Sequence, residues 1–410
     1  TATSARYSYR DAEPKKESFL DSESMETFIN PNNKEAQQKK QIGPVAFGAW
    51  SGGRFMHFGK TLTEEEYHDC VRLAYEQGIR TFITADVYGC GQADTLLGNA
   101  LSVFPRESYS LIGAIGHDFY YGKREGNGGF PRFSEPSLRT PDQYRNFLKT
   151  ACSRSLERCQ SDYFDLLLLH NPNEEGYTNP RIWEGLHELK EEGLVKSIGI
   201  APGPANGFVP DLVQNFENFG HLIDWAMIIL NPLESWPMHH ILDAADRFGI
   251  NIMTRVLDHG GVFYDELLPD HEFKPGDHRS YRPDGWVERG YNFVEEIRPM
   301  TEAHGLTPLQ YAANWNLSFP SVKCVIPTFI QEHGEKGRNI KSKIKEIANL
   351  PIVSLSEGEV EMVRQIGDNT GCMLLKGASS RHTSSERCDE WPMRNDLLDI
   401  CKAYDLGTDW

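Results

Sequence analysis

Short apolar runs recur along this chain, each followed by a stretch of helical periodicity, and that alternation restricts the fold more than any other feature. Eight runs can be set in order: "VAFGAW" (45–50), "TFITADV" (81–87), "SLIGAIG" (110–116), "FDLLLLH" (164–170), "VKSIGIA" (195–201), "WAMIILN" (225–231), "NIMTRVL" (251–257) and "KCVIP" (323–327). Between them lie amphipathic segments such as "TEEEYHDCVRLAYEQG" and "PRIWEGLHELKEEG". The first opens on Thr63 with Glu66 three residues later, the spacing of a capping box. Strands alternating with helices predict a parallel sheet. Eight of them, closed by a last helical segment "NIKSKIKEIANL", predict a single α/β domain, a (β/α)8 TIM barrel over residues 41–365.

Two connections are too long for simple turns, 117–147 after the third strand and 262–293 after the seventh. Both leave the carboxyl ends of strands, where barrels build their sites, so both are expected to cover a substrate. Residues 1–40 are polar and charged with no sustained period and read as an N-terminal arm. Residues 366–410 carry enough aromatic and apolar side chains to be expected as a tail packed on the barrel.

The formal charge of -17 argues against nucleic acid and anionic membranes as partners, since both are bound through clustered Lys and Arg. No run approaches the roughly 20 apolar residues of a membrane span. The eight cysteines form no CxxC pair, which favours isolated thiols over zinc or disulfides and a cytoplasmic location. The chain starts at Thr1, which is compatible with removal of a targeting peptide.

The segments "TADVYG", "LGNAL", "SLERCQSDYFDLLLLHNPN", "WEGLHELKEEGLVKSIGI" and "VIPT" resemble the aldo-keto reductase superfamily in order and spacing over roughly residues 42–350. The resemblance implies carbonyl reduction with NADPH, with a tyrosine as proton donor, a lysine paired to an aspartate, and a histidine that orients the substrate. Carried over by position, the tyrosine is Tyr88 and the histidine His170, whereas the aspartate falls on Ile83 and the lysine on Ala114. Ile83 and Ala114 read as a linked change, because an aspartate without its lysine would be an uncompensated buried charge. The positions that hold nicotinamide in the family fall on Ala201, Pro202, Met227 and Arg255. Arg338 is the candidate for contact with the phosphate of NADP.

The expected strand ends are rich in polar residues: Trp50, Asp86, Tyr88, His117, Asp118, His170, Asn171, Asn231, Glu234, Arg255, Asp258 and His259, with Asp277, His278 and Arg279 from the later connection. The expectation is an enzyme with a dismantled nicotinamide subsite and no cofactor, performing elimination, dehydration or isomerisation on a carbohydrate-like small molecule. In it His170 or His117 is the base, Tyr88 the acid and Arg255 the stabiliser of an oxyanion. The alternative is an NADP(H)-dependent carbonyl reductase with an atypical site, and a further one a non-catalytic binding protein. Each residue also has a structural reading: His170 as a strand cap, Asp86 as a loop brace, and Arg255 as the partner of Asp258 or Glu234. No ligand spacing such as HExxH supports a metal.

Overall fold

The computed structural model describes residues 41–125, 129–203, 207–282, 284–371 and 393–407. The expected arm at 1–40 and residues 372–392 of the expected tail lie outside them.

All eight apolar runs are strands: β1 (Ala46–Gly48), β2 (Thr81–Ile83), β3 (Ser110–Ile115), β4 (Leu166–His170), β5 (Ile198–Ala201), β6 (Trp225–Ile229), β7 (Asn251–Arg255) and β8 (Val322–Ile326). They pair in chain order as one parallel sheet. A parallel bridge from Val45 to Val325 brings the last strand beside the first, where the Val325 amide donates to the Pro44 carbonyl at 2.8 Å. The runs at β1, β2, β3, β6 and β7 continue past the ladder into the loops that shape the mouth, whereas those at β4 and β5 end with their strands.

Helices cover the outside of the sheet. α1 (Glu64–Glu76) starts at the predicted capping box, where the Glu66 amide donates to the Thr63 hydroxyl and the Thr63 amide to the Glu66 carboxylate. It buries Tyr67, Cys70, Val71 and Ala74, spaced three and four apart, against the sheet and against α2 (Gln92–Leu101). α3 (Tyr144–Arg158), α4 (Glu174–Thr178), α5 (Pro180–Glu191), α6 (Val209–Phe219), α7 (Ile241–Phe248), α8 (Trp286–Ala303), α9 (Pro308–Leu317) and α10 (Ile340–Ala348) continue the layer. After α11 (Glu357–Ile366), the chain is described again at α12 (Asn395–Ala403), which lies on α6 with Leu397, Ile400 and Cys401 buried.

The two long connections are built differently. In the first, His117 and Arg132 form an antiparallel bridge, and Phe133 stacks on Phe147 of α3 at 4.8 Å between ring centroids. The buried Asp118 carboxylate gathers the amides of Tyr120 (3.1 Å) and Tyr121 (2.9 Å) and the Arg139 guanidinium (2.7 Å). The second connection ends earlier than the expected residue 293, because α8 already begins at Trp286. Gly285, at φ 83°, takes the left-handed turn that precedes this helix, a conformation that favours glycine. This second connection is fastened by the fully buried Arg279, whose Nε and Nη2 donate to Asp277 at 3.0 and 2.8 Å. Its Nη2 also donates to Glu332 at 2.9 Å, and its Nη1 to the Gly260 carbonyl at 3.1 Å.

Candidate active site

At the carboxyl ends of the strands lies a cleft with an empty volume of about 710 Å³, its open part included. Five consecutive strands or strand ends give it an apolar floor, with Ile83 from β2, Ala114 from β3, Leu168 from β4, Ala201 from β5 and Met227 from β6. No lysine lines it. Trp50 forms one wall and is fixed by its indole N–H, which donates to the Thr328 hydroxyl at 3.1 Å.

Tyr88 and His170 face the cleft together, their rings edge to face at 5.7 Å. Trp50 also meets Tyr88, edge to face at 6.3 Å, so aromatic contacts hold the phenol in place. His170 ends β4 and is buried. Its Nδ1 is enclosed and has no hydrogen-bond partner among the described residues. A buried N–H without an acceptor costs more than an idle lone pair, so the ring proton belongs on Nε2, the nitrogen that reaches the cleft. Burial holds the imidazole well below the usual histidine range, and the charges of His117, Arg255 and Arg132 act in the same direction. His170 is therefore a neutral hydrogen-bond donor.

His117 lies behind His170, ring to ring at 5.2 Å, and does not line the cleft. Its Nδ1 sits 3.0 Å from the Phe130 carbonyl, which can only accept, so this nitrogen carries the proton. Nε2 then accepts from the Asn171 side-chain amide at 3.2 Å. Burial and the nearby Arg132 push its pKa down to about 4. Both nitrogens are occupied, which makes His117 a support for Asn171 and not the base expected from sequence.

Arg255 ends β7 with its guanidinium in the cleft, where Nη2 donates to the Pro202 carbonyl at 3.0 Å. The pairing with Asp258 or Glu234 that the sequence allowed does not form. Asp258 does line the cleft, but its carboxylate accepts the Thr328 amide at 2.7 Å and the Gly261 amide at 3.0 Å, tying the seventh connection to the loop after β8. Arg282, absent from the sequence-based set, also lines the cleft and lies over the Trp286 ring at 4.3 Å. It lies in the segment "GDHRSYRP", and nothing in a linear pattern says which of two arginines in a loop turns inward.

The remaining candidates stand away from the cleft. Asp86 is fully buried below the mouth near Asp94 and Arg158, and its carboxyl is driven well above the usual range, chiefly by burial and then by Asp94. Among the described residues neither of its oxygens has a hydrogen-bond partner of good geometry, while the nearby Val87 amide acts to lower the pKa. Asp118 is consumed by the first connection, as described. Asn231 shapes a turn, donating to the Val256 carbonyl and accepting the Leu233 amide, both at 2.9 Å, with Glu234 bridged to it. His259 is buried near Phe263 and Trp286, and His278 packs against His57 and Phe58. Arg338 is committed to the Glu346 carboxylate and, at 2.7 Å, to the Tyr264 carbonyl. Among the described residues no group of three or more His, Cys, Asp or Glu converges as a metal site, and no helix is long and apolar enough to cross a membrane.

The sequence pattern of the Aldo/keto reductase family matches residues 44–343. The chain belongs to the aldo/keto reductase family. It is 25% identical over 351 residues to "Probable aldo-keto reductase 1" of Glycine max, covering 82% of this chain and 90% of that one. Among solved structures it is similar to the glycerol dehydrogenase of Gluconobacter oxydans, with a TM-score of 0.62 and 20% identity over 80% of this chain and 92% of the other. An aldo/keto reductase of Klebsiella pneumoniae, solved in complex with NADP and acetate, matches with a TM-score of 0.53 and 16% identity over 79% and 91% of the two chains. These comparisons correct two expectations. Relatives carrying reductase names give no support to redox-independent elimination or isomerisation in this member of the family. The expectation of no cofactor is overturned by neighbours of the same fold that hold NADP or NADPH.

Proposed function

We propose that this aldo/keto reductase is an NADP(H)-dependent carbonyl reductase whose proton donor is Tyr88 and whose second oxygen-binding group is His170. The observation that carries this reading is their meeting at 5.7 Å on one wall of the cleft at the barrel mouth, above an apolar floor. A bound nicotinamide cofactor would supply the hydride. The cleft's residues suit such a group, since Ala201 and Met227 offer an apolar wall to a flat ring and Arg282 a cation to an anionic portion. Gly260 belongs to that fit, because a Cβ there would stand 2.0 Å from Arg282 Nη1 and push the guanidinium aside.

The protein's own part is to polarise the carbonyl and deliver a proton. The Tyr88 hydroxyl and His170 Nε2–H both donate to the carbonyl oxygen and stabilise the negative charge that grows there. Because His170 is neutral and holds its proton on Nε2, it binds the oxygen while Tyr88 transfers its proton to it, to be refilled from solvent. The apolar floor of Ile83, Ala114 and Leu168 keeps water from the reacting carbon.

Titration with NADPH and NADH, read by tryptophan fluorescence, tests this directly, since Trp50 lines the cleft. Saturation at micromolar nucleotide and aldehyde-dependent NADPH oxidation are the expected results. No binding at millimolar nucleotide would retire the reading.

A further inference from the structure

Arg255 is a cation in a low-dielectric cleft with most of its donors unused. Of its five N–H groups, the described residues engage one through Nη2, with the Pro202 carbonyl. Several other arginines withdrawn from solvent hold a carboxylate: Arg279 holds Asp277 and Glu332, Arg158 holds Asp94, and Arg139 holds Asp118. Asp258, the acid that shares the cleft, has spent its oxygens on two backbone amides. No described carboxylate therefore forms an ion pair with Arg255.

Its position is fixed from two sides. Gly203 packs between the Asn171 side chain and Arg255, and a Cβ at this glycine would lie 2.6 Å from Asn171 Oδ1 and 2.7 Å from Arg255 Nη2. The absence of that atom lets the guanidinium lie against the loop after β5. Arg255 is also close enough to His170 for its charge to act on that imidazole. A group bound by Arg255 would thus be a near neighbour of the oxygen held by His170 and Tyr88.

We propose that Arg255 is the specificity residue of this cleft and that the reducible carbonyl compound carries an anionic head, a carboxylate in the simplest case, which completes the guanidinium's unfilled fork. A planar guanidinium meets a carboxylate through two parallel hydrogen bonds, and the low dielectric of the apolar floor strengthens them. In a chain of net charge -17, a fixed cation at this point of the cleft, apart from Arg282 on its lip, turns general repulsion of anions into local selection. The inference rests on the reductase reading for the identity of the reacting group, but not for the recognition of the anion.

The experiment compares para-carboxybenzaldehyde with its methyl ester as substrates for NADPH-dependent reduction by the full chain. The wild type is expected to favour the acid in kcat/KM by about tenfold or more, as a charge-assisted fork predicts. In Arg255→Met that preference should collapse to near unity, and Arg255→Lys should restore part of it. Equal use of both aldehydes by the wild type, or a preference that survives Arg255→Met, would overturn the proposal while leaving the reductase reading intact. If neither aldehyde is reduced, calorimetric titration with terephthalate decides: binding to the wild type that is lost in Arg255→Met sustains the anion site, and equal or absent binding ends it. Thermal melting of each variant separates lost recognition from lost folding.

Discussion

The Asn171 side-chain amide donates to His117 Nε2 at 3.2 Å while His117 Nδ1 donates to the Phe130 carbonyl at 3.0 Å, so one imidazole ties the end of β4 to the first long connection. A histidine used in this way must stay neutral. Its pKa of about 4 lies below the value near 6.5 of an unfolded chain, so between these limits the unfolded chain binds more protons. The stability linked to His117 is fully present above about pH 6.5 and is lost as pH falls toward 4, on the order of 3 kcal/mol in all. Chemical denaturation of wild type and His117→Gln across this window should show a shallower pH slope for the variant. Parallel slopes would mean that His117 titrates normally in the folded state.

Replacing the Tyr88 hydroxyl tests the proton donor without disturbing the wall. Tyr88→Phe keeps the ring's contacts with Trp50 and His170, and should lower kcat/KM for reduction roughly 100-fold or more while NADPH affinity holds within about a factor of three. Retention of full activity would move the proton donor elsewhere in the cleft.

Ile83 and Ala114 form part of one apolar floor, and restoring charge to one alone should be costly. Ile83→Asp places a carboxylate where the present side chain is 1% exposed, with an expected loss of about 2–5 kcal/mol. Adding Ala114→Lys should recover at least about 1 kcal/mol of it, measured as the coupling in a double-mutant cycle. Strict additivity of the two changes would show that they are not linked.

Arg279 holds the second long connection to the loop after β8 through two carboxylates. Arg279→Met leaves Asp277 and Glu332 buried without their counter-ion, a loss expected at about 3–5 kcal/mol and concentrated locally. Hydrogen exchange should quicken across residues 256–285, the segment that carries Gly260 and Arg282 to the lip of the cleft. A uniform rise over the whole barrel would instead point to global unfolding.

Much of this architecture was legible in linear form, because helix and strand impose different periods on apolar residues and the chain obeys them. The eight strands, the Thr63 capping box, and the arrival of Tyr88 and His170 at a barrel mouth follow from local pattern and from resemblance. What the pattern does not contain is direction and partnership. Adjacent polar residues at a strand end compete for the inside, and packing sends His170, Arg255 and Asp258 to the cleft while His117, Asp86 and His259 go behind it. The loops add a second uncertainty, since Arg279 and Arg282 lie three residues apart in the same connection, one locked between carboxylates and the other lining the cleft. The sequence by itself determined a (β/α)8 barrel, the place of its mouth and a set of polar strand-end residues, of which Trp50, Tyr88, His170, Asn171, Arg255 and Asp258 line the cleft. Only the tertiary structure decided which charges are neutralised within the protein and which face the cleft, because hydrogen bonds and ion pairs in a loop form between residues that the chain order does not bring together.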